Sequence, residues 1–377
     1  MAIKVLHLIS GGDKGGAKTH IITLLKNLKS SCDAKIVCFI KDTFYDEAKA
    51  SGIDIEIILQ KKRTDLSIIK VLVEKINKEK YDIIHCHGAR ANFIGMFLKK
   101  KIDIPMVTTI HSDYLLDFKG SFYKNLIYTK LNEFSLKYFD YYIAVTEAFK
   151  NMLIDRGFNK EKIYTLYNGM DFTETMNMVD RDAFFKRYNI DLNNRFIVSL
   201  AARLDAVKNP QMLLKAAEKV LKTNKNILFL IAGDGEEMEI MKNKITEKNL
   251  GDNIKLLGFL KDPYSLFNVS NLNALTSISE SFPYVIMEAA RLKVPTISTN
   301  VGGIDELIED GINGFLVDIN DDEKMAEKIL QAAASPQETK EMGEKIKYKV
   351  ETEFSAPKMA ERQVQIYKSI LENRRKI

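Results

Sequence analysis

The chain has 377 residues, of which 46% are hydrophobic and 28% charged, and its formal net charge is +5. This composition is typical of a folded globular protein and excludes a disordered or collagen-like chain. At about 150 residues per domain the length predicts two domains, and the apolar runs are far shorter than the ~20 residues that a membrane-spanning helix needs.

The N-terminus and the cysteines indicate a reducing compartment. Residues Met1–Lys4 lead directly into a strand-like segment rather than a secretory signal, so we expect a cytoplasmic protein. Cys32, Cys38 and Cys86 are an odd number and form no C-x-x-C pair, which argues against disulfides and against a zinc cluster.

The positive charge lies in the first half of the chain. Residues 1–180 contain 27 Lys and Arg against 22 Asp and Glu, whereas residues 181–377 contain 29 of each. A lysine cluster such as Lys99–Lys101 is explained by a solvated surface; the alternative is an anionic partner, either a phospholipid surface or a phosphorylated acceptor. No motif of a nucleic-acid-binding module is present, so no nucleic acid is expected.

Short runs rich in β-branched residues alternate with longer helical patterns along the whole chain. The predicted strands of the first half are Ile3–Ile9, Ala34–Ile40, Tyr81–His85, Met106–Ile110, Tyr141–Val145 and Lys162–Tyr167. Those of the second half are Phe196–Ala201, Asn226–Ala232, Ile254–Leu257, Leu272–Leu275, Thr296–Thr299 and Gly314–Val317. The predicted helices include Ala17–Leu28, Leu66–Lys78, Pro210–Lys222 and Glu236–Lys248. This alternation predicts an α/β protein with parallel sheets covered on both faces.

A polar stretch, Asp171–Arg195, separates the two sets of strands and predicts two Rossmann-like domains in tandem. We place the first domain at residues 1–178 and the second at residues 190–357. Residues Lys358–Arg375 predict a helix with no strand after it. Since ligands of open α/β sheets bind at the carboxyl ends of the strands, two such sheets facing each other would form a deep cleft.

The first predicted strand ends in a glycine-rich turn, Ser10–Gly16, that leads into a helix. Such a turn can be an anion site, because free backbone N–H groups and the helix dipole point toward the ligand; the alternative is that the glycines only permit a tight turn. The G-x-G-x-x-G spacing is absent, and the second strand ends at Ile40–Lys41 rather than at an acidic residue. A nicotinamide dehydrogenase is therefore not expected.

Histidines occur at the ends of two predicted strands. In "YDIIHCHG", His85 and His87 point to the same side of the strand and Cys86 to the other. No third ligand motif accompanies them, so we do not predict a metal site. We expect His85 to pack in the interior. For His87 two interpretations stay open: it packs in the interior, or it faces the site. His111 follows the strand "MVTTI" at its carboxyl end, which favours a functional role.

The second half carries two further candidate clusters. Arg203 and Lys208 follow a strand just before a helix that opens at Pro210, and two cations of different geometry suit a diphosphate; two solvated loop charges are the alternative. In "ESFPYVIMEAARLKVPTISTNVGG", Glu280 lies in a loop and Glu288 on the second turn of the next helix. These carboxylates could accept sugar and ribose hydroxyls, or be an ordinary loop acid and an exposed helix residue. The neighbouring Ala289-Ala290 and the flanking apolar strands favour the functional interpretation.

Nine motifs in order along nearly the whole chain resemble glycosyltransferase family 4, a family of retaining transferases with the GT-B fold. They are "GGAKTH", "DIIHCHG", "TTIHSDY", "YIAVTEAFK", "LYNGMD", "LAARLDAVKNP", "FLIAGDGEE", "IKLLGF" and the block from Glu280 to "TNVGGIDELIEDGINGFLV". The resemblance implies two Rossmann-like domains that face each other across a cleft. It also implies that the C-terminal helix, about 358–377, crosses back to complete the first, acceptor domain, while the second domain binds the nucleotide-sugar donor.

The resemblance also implies roles for individual residues. Glu280 would contact hydroxyls of the donor sugar, Glu288 the ribose, and Arg203 with Lys208 the diphosphate leaving group. The remaining donor-binding candidates are Gly15, Gly16, Gly258 beside the base, Ser281, Phe282, Pro283 and Tyr284. His111 would face the reacting sugar and hold its C6 hydroxyl, and His87 and Arg90 would lie on the acceptor side.

The family resemblance further implies catalysis without a metal or cofactor. The triplet Asp180-Arg181-Asp182 lies in the connecting stretch rather than after an apolar strand, so we interpret it as chance. Two positions depart from the family pattern: Ser281 replaces a glycine, and Lys293 replaces the glycine before "VP". These departures concern donor preference rather than the reaction.

The expected function is transfer of a hexose or N-acetylhexosamine from a nucleotide diphosphate sugar, with a UDP-sugar favoured, to a polysaccharide or lipid-linked glycan. A nucleotide-sugar 2-epimerase and a non-catalytic sugar-nucleotide-binding subunit are the alternatives. The apolar, lysine-bearing stretch Tyr114–Phe139 is most simply helices packed on the sheet. The other interpretation is contact with the inner face of the plasma membrane or with a lipid-linked phosphosugar.

Overall fold

The computed structural model describes residues 2–12, 15–28, 31–115, 129–191 and 194–375. The chain forms two compact units, one of Met1–Asp171 together with Phe354–Ile377 and the other of Phe172–Glu353. The first unit ends at Asp171 rather than at 178, and the second runs from Phe172 to Glu353 rather than from 190 to 357, so the polar connecting stretch belongs to the second unit. Half of the stretch Tyr114–Phe139, namely residues 116–128, lies outside the described residues.

The first unit is built on a seven-stranded parallel sheet in the order β3-β2-β1-β4-β5-β6-β7. Its strands are β1 Ile3–Ile9, β2 Cys32–Cys38, β3 Ile55–Ile57, β4 Ile83–His87, β5 Met106–Ile110, β6 Tyr141–Ala144 and β7 Ile163–Thr165. Its helices are Gly15–Leu28, Thr43–Ala50, Ile68–Glu79, Gly88–Lys99, Lys130–Leu136, Glu147–Asp155 and Ala356–Arg375, with a 3-10 turn at Lys160–Lys162. β3 was not predicted, because three half-buried residues at a sheet edge are too few to show a pattern in the sequence.

The second unit is built on a six-stranded parallel sheet in the order β10-β9-β8-β11-β12-β13. Its strands are β8 Phe196–Ala201, β9 Ile227–Ala232, β10 Ile254–Gly258, β11 Leu272–Leu275, β12 Thr296–Thr299 and β13 Gly314–Val317. Its helices are Arg181–Arg187, Pro210–Thr223, Met238–Glu247, Tyr264–Phe267, Tyr284–Arg291, Ile304–Leu307, Asp322–Ala334 and Pro336–Glu353. Both sheets confirm the predicted pair of Rossmann-like domains.

The central strands are largely buried because helices cover both faces of each sheet. All six residues of β9 are buried, as expected for a central strand of a parallel sheet. The helix Pro210–Thr223 buries an apolar stripe that includes Leu213, Ala217 and Val220 against this sheet. Such burial contributes about 25 cal/mol per Å² of apolar surface.

The C-terminal helix, Ala356–Arg375, packs on the first unit, as the family resemblance implied. Met170 and Ser355 form a bridge that starts this return. Met359, Ile366 and Tyr367 then pack in one hydrophobic cluster with side chains of the helix Gly15–Leu28. In the described part of the chain, no helix is both long and apolar enough to cross a membrane.

Candidate active-site regions of the two units

The first unit gathers all five histidines of the chain beside one another. Parallel pairing places His7 of β1 opposite His85 of β4, and His87 opposite Thr109 of β5. The remaining two are His111, directly after β5 as predicted, and His20 on the helix Gly15–Leu28. Since side chains alternate along a strand, His85 and His87 point to one side and their rings stack at 4.2 Å, while Cys86 packs in the core on the other side.

Direct contacts link these rings. His7 Nδ1 lies 3.0 Å from His87 Nε2, and His87 Nδ1 lies 3.2 Å from His111 Nε2. His85 lies deeper, as expected, and hydrogen-bonds to the Tyr367 hydroxyl at 2.6 Å. His87 is buried and contacts the partly exposed His111, so it packs in the interior beside a residue predicted to face the site.

Burial keeps the five imidazoles neutral. Desolvation lowers the pKa of His7 to about 3 and that of His20 to about 4. The pKa values of His85, His87 and His111 are also lowered well below the usual value, chiefly by burial and further by neighbouring histidines. Each ring therefore carries one N–H donor and one lone pair at neutral pH.

The structure supplies a third histidine that the sequence analysis did not associate with the strand-end pair. Ring nitrogens of His7, His85 and His87 all lie within 4.8 Å of one another. Neutral imidazoles are ligands for zinc or copper, whereas Mg²⁺ and Mn²⁺ prefer carboxylate oxygens, which this group does not contain. The ring nitrogens also already hydrogen-bond to one another and to hydroxyl groups.

The glycine-rich turn and Arg90 lie at the carboxyl ends of strands in the same unit. The helix begins at Gly15, whose φ of +62° is the left-handed conformation that favours glycine, and Gly16 follows within the helix. Residues 13 and 14 lie outside the described residues. Arg90, near the start of the helix Gly88–Lys99, donates from Nε to the Gln60 side chain at 2.6 Å, so its guanidinium is held in place.

In the second unit the structure joins Lys208 to Glu280. The Lys208 ammonium lies 2.5 Å from a Glu280 carboxylate oxygen, which also accepts a 2.6 Å hydrogen bond from the Ser277 hydroxyl. The Thr276 hydroxyl donates to the Lys208 carbonyl. The loop after β8 and the loop after β11 are thereby joined around one cation and one carboxylate.

Arg203 lies near Lys208 in sequence and shares a partner with it. The Asp205 carboxylate contacts the Arg203 guanidinium at 3.1 Å and accepts a 2.9 Å hydrogen bond from the Lys208 backbone N–H. The Arg203 side chain is 74% exposed, against 22% for Lys208. Asp205 was not among the predicted site residues, although its position in a short loop between two cations could have indicated that it pairs with them.

The loop that holds Glu280 needs glycine at one neighbouring position. Gly302 has a φ of +61°, and a Cβ there would lie 1.9 Å from the Glu280 carbonyl oxygen. Gly303 donates its N–H to the Ser281 carbonyl at 3.1 Å. The close approach at position 302 explains the first glycine of "NVGG", because only glycine permits the two backbones to come so near.

Glu288 lies on the second turn of the helix Tyr284–Arg291, as predicted, with Pro283 as the N-cap residue rather than in the first turn. Burial, and secondarily the Asp262 carboxylate, raises the pKa of Glu288 to about 7. Among the described residues, no group donates a hydrogen bond to the Glu288 carboxylate. A shielded carboxylate without a protein donor is a suitable partner for hydroxyls of a ligand.

The other donor-site candidates of the second unit fall into two groups. Phe282, Pro283 and Tyr284 are buried, and Ser281 is partly exposed. Gly258 ends β10 with a φ of +72°. The next residue, Phe259, is 77% exposed, which is unusual for so large an apolar side chain.

Comparison with known proteins shows the family of the chain. Residues 14–174 match the family described as "Glycosyltransferase Family 4", and residues 180–349 match "Glycosyl transferases group 1". The chain is 28% identical over 263 residues to UDP-Gal:alpha-D-GlcNAc-diphosphoundecaprenol alpha-1,3-galactosyltransferase of Escherichia coli, covering 68% of this chain and 67% of that protein. It is 27% identical over 318 residues to N-acetyl-alpha-D-glucosaminyl L-malate synthase of Bacillus anthracis, covering 81% and 80%.

Solved structures show the same fold. The Anabaena protein Alr3699/HepE in complex with UDP aligns with a TM-score of 0.82 at 23% identity, covering 97% of this chain and 100% of that one. A glycosyltransferase from Rickettsia africae aligns with a TM-score of 0.83 at 23% identity, covering 99% of both chains. With a family 4 domain followed by a group 1 domain, two parallel Rossmann-like sheets and these relatives, the chain belongs to the GT-B glycosyltransferases of family 4.

Proposed function

We propose that this enzyme is a retaining, metal-independent transferase that moves a hexose or N-acetylhexosamine from a UDP-sugar to a polysaccharide or lipid-linked glycan. The choice of UDP is supported by the E. coli relative, whose name specifies UDP-Gal, and by the Anabaena structure, which contains UDP. The observation that carries the proposal is the Lys208–Glu280 pair, 2.5 Å apart, with Glu288 on the following helix.

Lys208 is suited to stabilise the leaving diphosphate. Its ammonium is held by Glu280, and its backbone N–H by Asp205, so its position is fixed before a ligand binds. A preorganised cation stabilises the negative charge that grows on the leaving oxygen without reorganising first. Arg203 supplies a second, more exposed cation that can reach the same diphosphate as a planar fork.

Glu280 and Glu288 are suited to hydroxyl groups. Glu280 is held by Lys208 and Ser277, leaving its carboxylate further acceptor capacity for a donor-sugar hydroxyl. Glu288 has no donor among the described residues and would accept from the ribose. The exposed ring of Phe259, beside Gly258, offers a face on which a base can stack.

Retention of configuration follows from attack on the face that the leaving group vacates. The bond between the sugar C1 and the diphosphate oxygen breaks, and the acceptor hydroxyl oxygen bonds to C1 on the same face. The hydroxyl proton passes to the departing phosphate oxygen, so UDP leaves with the bonding electrons and no external base is consumed. His111, neutral and partly exposed at the end of β5, would hold the reacting sugar.

Metal independence is supported by the cations and by the chemistry of the acidic residues. Asp180, in the one Asp-x-Asp triplet near the donor unit, caps the helix Arg181–Arg187 by accepting from the Ala183 N–H at 2.9 Å. That triplet is explained by helix capping. Fixed cations can take the place that Mg²⁺ occupies in other nucleotide-sugar sites.

The acceptor class is supported by charge and by relatives. The positive excess of the chain lies within residues 1–180, which suits a phosphorylated, lipid-linked glycan or an anionic membrane surface. One relative is named for a diphosphoundecaprenol acceptor, and another is the capsular polysaccharide biosynthesis glycosyltransferase CapM of Staphylococcus aureus.

UDP is expected to stabilise the protein selectively among UDP, GDP, dTDP and ADP. A ligand at 100 times its dissociation constant adds about 2.7 kcal/mol, which raises the melting temperature of a unit this size by about 5–10 °C. Thermal unfolding followed with each nucleotide tests this. A GDP-selective shift would transfer the proposal to a GDP-sugar, and no shift with any nucleotide would contradict it. Conversion of the donor sugar without an acceptor would instead identify a 2-epimerase.

Chelation is expected to leave transfer intact. With excess EDTA the rate should stay within about twofold of the untreated rate, because fixed cations rather than Mg²⁺ stabilise the leaving group. The measurement is product formation with EDTA, followed by addition of Mn²⁺ or Zn²⁺. If transfer is lost and Mn²⁺ restores it, metal independence is contradicted. If only Zn²⁺ restores it, metal independence is also contradicted, and His7, His85 and His87 become the candidate zinc ligands.

A further inference from the structure

A continuous row of hydrogen bonds leads from the partly exposed His111 into the interior of the first unit. His111 Nε2 contacts His87 Nδ1 at 3.2 Å, and His87 Nε2 contacts His7 Nδ1 at 3.0 Å. His7 Nε2 in turn contacts the Tyr367 hydroxyl of the C-terminal helix at 3.4 Å. Three rings and one hydroxyl therefore connect a candidate ligand-facing side chain to the far end of the sequence.

The row continues beyond Tyr367 to a buried threonine. The Tyr367 hydroxyl contacts His85 Nδ1 at 2.6 Å, and His85 Nε2 contacts the Thr109 hydroxyl at 2.7 Å. We call these six residues the histidine row: His111, His87, His7, Tyr367, His85 and Thr109. All of them except His111 are buried.

The proton positions along the histidine row depend on one another. A neutral imidazole has one N–H and one lone pair, so a ring that accepts at one nitrogen donates at the other. The tyrosine hydroxyl has one proton to donate but can accept from both sides. Among the described residues it contacts only His7 and His85, so if it accepted from both, its own buried proton would have no acceptor. Two arrangements remain that satisfy every contact and leave that proton paired: all groups donate toward His111, or all donate toward Thr109.

Thr109 decides between the two arrangements. Its hydroxyl is buried, and among the described residues it hydrogen-bonds to His85 alone. If His85 donated to Thr109, the hydroxyl proton of Thr109 would be buried without an acceptor. One unsatisfied buried donor is enough to favour the other arrangement by about fivefold or more. Thr109 therefore donates to His85, and every later group donates toward His111.

We propose that Tyr367 is a positioning residue that acts through His7 and His87 to fix His111 as the tautomer with its proton on Nδ1. In this arrangement His111 Nε2 accepts from His87, and His111 Nδ1, which has no partner among the described residues, presents an N–H donor. That donor fits an oxygen acceptor such as a sugar hydroxyl or a phosphate oxygen. The nature of the oxygen rests on the proposed function, whereas the tautomer does not.

His20 lies outside the histidine row. Its ring meets that of His111 edge-on at 4.7 Å between centroids, and its Nδ1 pairs with the Asn168 side-chain oxygen at 2.8 Å. Because that oxygen can only accept, His20 carries its proton on Nδ1 and leaves a lone pair on Nε2. Asn168, and not the histidine row, fixes the tautomer of His20. His20 therefore serves as an internal control within the same protein.

Nitrogen-15 NMR of protein labelled at histidine distinguishes the two tautomers, with His111→Gln assigning the His111 signals. In the wild type we expect the His111 proton on Nδ1. The substitution Tyr367→Phe removes the hydroxyl and keeps the packing of the ring; we expect His7, His87 and His111 to become mixtures of tautomers while His20 does not change. A wild-type proton on His111 Nε2, or unchanged tautomers in Tyr367→Phe, would overturn the proposal.

The matched control is Tyr142→Phe in the same unit. The Tyr142 hydroxyl is also buried, but it donates to the Leu136 carbonyl at 2.7 Å, apart from the histidine row. We expect Tyr142→Phe to change no tautomer and kcat by less than twofold, and Tyr367→Phe to lower kcat by about fivefold or more. Equal kcat losses in both variants would show a merely structural role. If the wild type transfers no sugar but the tautomers shift as expected, the proposed function fails and the positioning role stands.

Discussion

Replacing Lys208 with methionine is expected to lower kcat/KM for sugar transfer by about 10²–10³-fold. The ammonium that would stabilise the leaving diphosphate is removed, while the aliphatic part of the side chain is largely retained. Steady-state kinetics with the UDP-sugar identified by nucleotide screening measures the effect. Activity within threefold of the wild type would show that Lys208 does not act on the leaving group.

The same substitution is expected to destabilise the second unit in a way that a second mutation relieves. The Glu280 side chain is 9% exposed, and without Lys208 its carboxylate keeps only the Ser277 hydroxyl among the contacts described. The free energy of unfolding should fall by about 1–3 kcal/mol. Adding Glu280→Gln removes the uncompensated charge and should recover stability but not activity, which separates folding from catalysis.

Lys219→Met is the matched control for the Lys208 experiment. Lys219 belongs to the helix that begins at Pro210 and pairs with Asp322 at 2.9 Å, so it is also a lysine in an ion pair of the second unit. Because that pair is more exposed, its loss should cost at most about 1 kcal/mol, and kcat/KM should not change. A similar activity loss in both variants would refute a specific role for Lys208.

Glu288→Gln is expected to make the protein more stable at pH 8 and less able to bind UDP. The pKa of Glu288 is raised to about 7, first by burial and then by Asp262. Between about pH 4.5 and 7 the folded protein holds this proton more tightly than the unfolded chain does, so stability falls as the pH rises through this window. Glutamine, which is uncharged at every pH, avoids that loss.

The size of the stability gain follows from the pKa. A difference of about 2.5 pKa units corresponds to an upper bound of about 3 kcal/mol at pH 8, and to little at pH 4.5 or below. Thermal unfolding of both proteins at pH 5 and pH 8 should therefore show a difference that grows with pH. Equal differences at both pH values would contradict the raised pKa. Glu344→Gln, in the exposed pair with Lys293, is the control with a small effect at both pH values.

The accompanying loss of UDP affinity distinguishes a ligand-binding residue from a packing residue. A carboxylate that accepts ribose hydroxyls makes charge-assisted hydrogen bonds worth about 1.5–3 kcal/mol, so Glu288→Gln should weaken UDP binding by about 10- to 100-fold at pH 8. Wild-type affinity should itself rise from pH 6 to pH 8 as Glu288 ionises. Calorimetric titration measures both effects. Unchanged UDP affinity in the variant would remove Glu288 from the binding site.

Much of the fold could be predicted from the sequence because local patterns carried it. In the second unit, β8, β11, β12 and β13 begin and end at the predicted residues. The helix predicted to begin at Pro210 also begins there. These strands are buried on both faces and bounded by polar turns, so hydrophobicity alone marks their ends. β3, with three half-buried residues at a sheet edge, left no such signal.

The positions of the candidate donor-site residues followed from the same logic. Lys208 and Glu280 could each be assigned to a loop after a strand, and Glu288 to a helical turn, from neighbouring residues alone. The 2.5 Å contact between Lys208 and Glu280 could not be predicted from neighbouring residues. The two are 72 residues apart in the chain, and their contact depends on the order of strands in the sheet.

By itself, the sequence determined the class of protein, the two Rossmann-like sheets, the return of the C-terminal helix and the identity of the candidate residues. Only the tertiary structure decided which of them meet. His7, His87 and Tyr367 come from β1, β4 and the last helix, and parallel pairing of β1 with β4 brings them into one row. Local pattern reports how each residue is buried, whereas hydrogen bonds between residues distant in sequence are set by sheet order and register, which no local pattern records.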